Sequence, residues 1–250
     1  MNIAIVLYGQ PRDYMSGYNN IMKYINKQQA CKFDFFYHCW TLNEHEEYKH
    51  SPWRNIDKNT IVYNNTLNAE LQKLYDPISC EYENQNNVLF EESLYKNTIA
   101  FNNTTGLKIN NINNTIYQMY SRNKARNILH NYINIHNIKY DFVMMVRFDI
   151  RVMPEINFNE LTKNKTYISN INCPRKVISD NCIITSINVF LEWFDIYDKL
   201  NEILDNKKIS ENISNINEEL EINPEQLLLA KYIYHYINLD NLLYFQGGLI

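Results

Sequence analysis

Three stretches of this chain carry almost no polar residues on either side of an extended backbone: "NIAIVLY" (Asn2 to Tyr8), "FDFFYHC" (Phe33 to Cys39) and "FVMMVRF" (Phe142 to Phe148). Alternate residues of a strand face opposite sides of its sheet, so runs of this kind are buried on both faces. Such burial belongs to parallel strands with helices packed above and below. Between the first two runs, Tyr14–Asn26 places Tyr14, Met15, Tyr18, Ile21, Met22 and Ile25 at helical spacing. Strand, helix and strand then form a right-handed βαβ unit. The expected fold is α/β: a Rossmann-like, mostly parallel central sheet flanked by helices, one domain with a helical C-terminal part.

Further elements follow from the same patterns. Strands are expected at Thr60–Tyr63, Ile78–Glu83, Tyr167–Ile171 and Asn181–Thr185, with a short one ending at Gly247–Gly248. Helices are expected at Leu67–Tyr75, Asn114–Asn134, Ile187–Leu204 and Pro224–Ile237. The Asn-rich stretch from Asn84 to Asn114 reads as loops with a short helix, and Asp205–Glu221 as a polar linker.

Composition narrows the function. The 250 residues are 45% hydrophobic, enough for a sizeable core, and 24 basic against 28 acidic residues give a net charge of −4. No stripe of Lys and Arg follows a phosphate backbone, which excludes polymeric nucleic acid as the expected partner. Five cysteines, at 31, 39, 80, 173 and 182, stand singly without CxxC spacing, so neither a zinc knuckle nor a disulfide framework is expected. The first apolar run lacks a basic leader and no stretch reaches the about 20 apolar residues of a membrane span. A soluble, cytoplasmic protein is the expectation.

The third run ends on charge, with Arg147, Asp149 and Arg151 in "VRFDIR". Ligands of open α/β sheets bind beyond the carboxyl ends of the strands, and residues two apart on a strand share a face. Arg147 and Asp149 therefore converge there. A carboxylate in that place can hold a divalent metal while a guanidinium clamps a phosphate; equally, the two can simply pair and cap the strand. The other strand ends are polar as well. The first runs into Gly9-Gln10-Pro11-Arg12, where Gly permits close backbone approach and Arg12 stands at a helix entrance, a phosphate-binding arrangement or an ordinary βα turn. The second ends in His38-Cys39-Trp40, with His38 either a ligand at the cleft floor or a satisfied core histidine. Trp53, in the loop that follows, is a candidate to stack on a ring.

The order "IVLYGQPR", "DFFYHCW", "QMYSRNKA", "YDFVMMVRFDI", "NPEQLLL" resembles a family of GT-A-type nucleotide-sugar glycosyltransferases found in bacterial surface-polysaccharide loci and large DNA viruses. The resemblance runs from Ile3 to about Leu229. It implies transfer of a sugar from a nucleotide diphosphate to a hydroxyl of a glycan or other acceptor, in the host cytoplasm for a viral member. Residues 1–153 would be the nucleotide-sugar half and 154–250 the acceptor side. In that family an Asp-x-Asp motif holds Mn²⁺ or Mg²⁺ against the diphosphate. The matching place here is Arg147-Phe148-Asp149, one carboxylate where two are usual, so the diphosphate charge falls to a metal on Asp149, to Arg147, or to both. Gly9, Gln10 and Arg12 would border the nucleotide, and Gln118, Tyr120, Ser121 and Lys124 would cover the donor. Asp180 and Glu225 are the later carboxylates the resemblance points to, Glu225 as an acceptor-side or donor-sugar contact and Asp180 preferred as base. Glu225 in Asn-Pro-Glu is also explained as a helix start. Three other functions compete: a nucleotide- or glycan-binding module without turnover; a sugar nucleotidyltransferase, which would show a Gly-rich loop where "YGQPRDYM" has one Gly; and a plain structural protein, which would bind no nucleotide.

Overall fold

In the computed structural model the described residues are 1–48, 62–169, 178–216, 218–236, 241–245 and 247–249. The apolar runs form β1 (Asn2–Gly9), β2 (Lys32–Thr41) and β4 (Phe142–Arg147), with β3 (Ser79–Asn84) at one edge and β6 (Thr166–Ser169), β7 (Cys182–Ser186) and β8 (Leu242–Phe245) beyond β4. Together they make a seven-stranded mixed sheet of order β3-β2-β1-β4-β7-β6-β8. The pairs from β3 to β4 are all parallel, β7 runs antiparallel to both β4 and β6, and β8 is parallel to β6. The sheet is thus α/β and mostly parallel, and it is flanked by helices.

Alternation along β1 shows why the runs are unbroken. Ile3, Ile5 and Leu7 enter one core with Ile21 and Tyr24 of α1 (Tyr14–Ile25) and Leu67 and Leu71 of α2 (Thr66–Tyr75). Ala4, Val6 and Tyr8 enter the other. That second core contains Ile116, Met119, Ala125 and Leu129 of α4 (Ile112–His136) and the C-terminal helices. The short α3 (Ile99–Asn103) lies in the Asn-rich stretch, capped by the Thr98 side chain.

Three expectations change. The helix expected at Ile187–Leu204 is two, α5 (Ile187–Trp193) and α6 (Leu200–Leu204). Phe190, Trp193, Phe194, Ile196, Leu200, Ile203 and Leu204 are all buried, and on one straight helix they would cover about half the circumference; the break turns both pieces onto one core. The expected linker contains α7 (Lys207–Ser214), whose start is capped by Asn206 accepting from the Ile209 N–H, and whose Ile209 and Ile213 are buried one turn apart. The C-terminal strand is two strands, β8 and β9 (Gly247–Leu249); β9 pairs with β5 (Val152–Pro154) in a separate ribbon. The last helix, α8, spans Pro224–Tyr236. Of the strand expected at Thr60–Tyr63, Val62 makes an isolated bridge to Glu47, and residues 60–61 lie outside the described residues together with Trp53, Cys173 and residues 170–171.

Candidate functional site

The chain leaves β1 toward β2 on one side and returns to β4 on the other, so strand order reverses between β1 and β4. The crevice outside the carboxyl ends of two such strands is where open α/β sheets bind ligands. Tyr8 and Arg147 are register partners at that point, and α4 crosses above it.

Arg147 is nearly buried and makes a two-pronged pair with Asp149, Nε to Oδ1 at 2.8 Å and Nη2 to Oδ2 at 2.9 Å. Its third nitrogen, Nη1, reaches Asp180 Oδ2 at 3.2 Å. Burial opposes the Arg147 charge, but Asp149 and Asp180 outweigh it and hold the guanidinium firmly protonated. Gln118 of α4 donates to the same Asp180 oxygen at 2.7 Å. Beneath them, Tyr8 donates to the Asp180 carbonyl at 2.7 Å, and Arg122 donates through Nη2 to that carbonyl at 3.0 Å and to the Tyr8 hydroxyl. Glu225, in the first turn of α8, belongs to the same field. Burial, then the Asp180 charge, raise its carboxyl pKa to about 7 against the pull of Arg122 and Arg147. Its neighbour Asn223 accepts from the Gln226 N–H, so the helix-start reading of Asn-Pro-Glu is met as well.

A second group lies one strand over. Gly9, at φ +96, donates its N–H to Ser121 Oγ at 2.8 Å, and Ser121 Oγ lies 2.8 Å from His38 Nδ1. His38 Nε2 lies 3.3 Å from Glu83 Oε2. His38 and Glu81 are partners in the β2–β3 ladder and Glu83 follows two residues later, so all three meet on the α4 face. Their ligand atoms lie within 4.8 Å of one another, and this His38–Glu81–Glu83 group could hold a metal ion. Lys124 reaches the same carboxylates, Nζ to Glu81 at 2.9 Å and to Glu83 at 3.6 Å. Burial keeps the His38 pKa low; the imidazole bond, opposed by burial and aided by Lys124, keeps Glu83 ionised. Tyr120 donates to Glu83 at 3.1 Å and stacks on Trp40 with ring centroids 5.4 Å apart.

The structure therefore brings Arg147, Asp149, Asp180 and Gln118 into direct contact, with Glu225 electrostatically tied to them, and joins Gly9, His38, Ser121 and Lys124 in the adjoining group. Gln10 turns aside to Gln85, 2.6 Å away, and Arg12 lies half-buried in the β1–α1 turn. Asp149, the expected metal ligand, has both carboxylate oxygens on Arg147. Sequence reasoning missed Glu81, Glu83 and Arg122. The first two alternate along β3, a period-two signal that was legible, whereas Arg122 sits one turn from Gln118 with nothing to separate it from a surface charge. No protein-family pattern and no curated protein matches the chain.

Proposed function

We propose that this protein is a glycosyltransferase that moves a sugar from a nucleotide diphosphate to a hydroxyl acceptor. One observation carries this reading: the Arg147–Asp149–Asp180 group, with Glu225 beside it, lies outside the carboxyl ends of β1 and β4 where strand order reverses. The motif order that resembles nucleotide-sugar transferases supplies the reaction class.

In such a transfer the bond from the sugar carbon to the diphosphate oxygen breaks, the acceptor oxygen bonds to that carbon, and the acceptor proton leaves. The departing diphosphate needs positive charge. At this edge Arg12, Arg122, Lys124 and Arg147 are balanced by Glu81, Glu83, Asp149 and Asp180. A dianionic leaving group therefore finds no surplus, and a divalent cation is required. His38, Glu81 and Glu83 would hold it, and its imidazole-and-carboxylate donor set suits Mn²⁺ better than Mg²⁺. An ion held there would supply positive charge to the departing diphosphate. His38 must then offer the Nε2 lone pair, so its proton moves to Nδ1, where Ser121 Oγ accepts it. Lys124 must swing away from the carboxylates it now neutralises. For the acceptor proton, Glu225 has a pKa near neutrality, as a base working at pH 7 requires, while Asp180 is committed to Arg147 and Gln118.

Thermal shift against UDP-, GDP-, CMP- and TDP-sugars, with Mn²⁺, Mg²⁺ or chelator, tests the reading. A ligand at 100 times its Kd contributes about 2.7 kcal/mol. Stabilisation by one nucleotide class, lost with chelator and in His38→Ala, is the expected result; no shift with any donor under any condition refutes it. Donor binding without donor consumption, across a panel of acceptors, would instead mark a binding module.

A further inference from the structure

Ser121 is buried between two groups that both depend on it. Its Oγ accepts the Gly9 N–H at 2.8 Å and lies 2.8 Å from His38 Nδ1, and among the described residues these are its only side-chain hydrogen bonds. A hydroxyl has one hydrogen to give. Gly9 is a donor, so that hydrogen goes to His38 Nδ1, which is then the bare nitrogen of a neutral imidazole. The ring proton is on Nε2, where Glu83 Oε2 accepts it at 3.3 Å. Tyr120 at 3.1 Å and Lys124 at 3.6 Å keep Glu83 an acceptor. Every donor in this chain of groups meets an acceptor. With the proton on Nδ1 instead, the Ser121 hydrogen would be buried with nothing to accept it, and the Nε2 lone pair would face a carboxylate.

That tautomer is the wrong one for a metal ligand. A cation from solvent reaches the His38, Glu81 and Glu83 group from the side of the two carboxylates, whose side chains are 42% and 26% exposed, and the imidazole nitrogen turned toward them is the protonated Nε2. An ion satisfied by carboxylate oxygens and water leaves the Gly9, Ser121, His38, Glu83 chain intact. One that takes imidazole must break it: a proton leaves Nε2, another is taken up at Nδ1, the ring stays neutral, and Ser121 turns from donor to acceptor with its own hydrogen stranded. We infer that Ser121 is a positioning residue that sets the tautomer of His38 and thereby limits how far this group favours an imidazole-seeking ion, such as Zn²⁺ or Mn²⁺, over oxygen-seeking Mg²⁺. The inference rests on the cation reading above and refines it: the donor set alone favours the first class, and Ser121 narrows that preference.

The test begins with the ¹⁵N resonances of the His38 ring in the metal-free protein. The expected spectrum has the proton on Nε2 and an Nδ1 resonance upfield of its position in Ser121→Ala, with Ser121→Thr restoring the wild-type value. A proton on Nδ1, or an Nδ1 resonance that loss of the hydroxyl does not move, overturns the inference. Calorimetry with Zn²⁺ and with Mg²⁺, using His38→Ala as the blank, then reads the selectivity. Ser121→Ala has no hydroxyl bond to break, so its ratio of Zn²⁺ to Mg²⁺ affinity should rise about tenfold, while Ser121→Thr keeps the wild-type ratio and the Zn²⁺-loaded ring carries its proton on Nδ1. An unchanged ratio in Ser121→Ala, or a Zn²⁺-loaded ring still protonated on Nε2, overturns the selectivity role. Binding of no ion to any of these proteins overturns that role together with the cation reading, whereas the setting of the tautomer by Ser121 stands or falls on the metal-free spectra alone.

Discussion

At the scale of single residues, the charges at the strand ends are interlocked, and removing one exposes another. Arg147→Met leaves Asp149 buried without its two-pronged partner and removes a contact from Asp180. Loss of one member of a buried pair costs about 3–5 kcal/mol, to be read from denaturant midpoints. Glu225 gives a pH signature. Its pKa rises from 4.5 to about 7 on folding, so the folded state holds a proton that the unfolded state releases. The resulting stability is complete below about pH 4.5 and disappears as pH rises through about 7. Glu225→Gln should leave stability unchanged at pH 4 and raise it by up to about 3 kcal/mol at pH 8, while abolishing the rise of turnover with pH that its service as base predicts. A stability profile for Glu225→Gln parallel to wild type would contradict the shift.

Between elements, the approach of α1 to the end of β4 depends on one glycine. A Cβ on Gly17 would stand 1.7 Å from the Phe148 carbonyl oxygen and 3.3 Å from the Ile150 nitrogen, both backbone atoms that cannot step aside. Asn20, further along α1, ties the same segment by donating to the Ile150 carbonyl at 3.0 Å. Since Phe148 lies between Arg147 and Asp149, this contact also sets the guanidinium–carboxylate geometry. Gly17→Ala, which on an open helix gains about 1 kcal/mol, should here cost about 1–3 kcal/mol or more and weaken donor binding, seen in melts and calorimetry together. Asn206→Ala should cost about 1 kcal/mol through loss of the α7 cap.

Over the whole molecule, the charges at the carboxyl edge of the sheet are paired with one another, and no described helix is long and apolar enough to cross a membrane. Lys124 acts as the built-in counter-ion of the β2–β3 end: burial works against its charge, yet Glu81 and Glu83 raise its pKa above the ordinary lysine value. A metal entering that group competes with it. Lys124→Ala should therefore tighten Mn²⁺ binding by about tenfold in calorimetry, and Glu83→Gln should abolish it. Equal Mn²⁺ affinity in wild type and both variants would remove His38, Glu81 and Glu83 from consideration as ligands.

What the chain determined by itself is the sheet and its edge. Unbroken apolar runs demand cover on both faces, and the polarity that ends each run marks the side where a ligand can sit, since both signals lie within a few consecutive residues. Arg147, Asp149, His38 and Gly9 were legible for that reason. Tertiary structure alone decided the partners. Asp180 meets Arg147 across 33 residues, Gln118 meets Asp180 across 62, and Tyr8 meets Arg122 across 114. It also decided that the apolar stretch after Ile187 breaks in two, since the buried residues from Phe190 to Leu204 would span about half the circumference of one straight helix. Local spacing sets which face a residue occupies, but the crossing of α4 over the strand ends brings distant side chains within hydrogen-bond range.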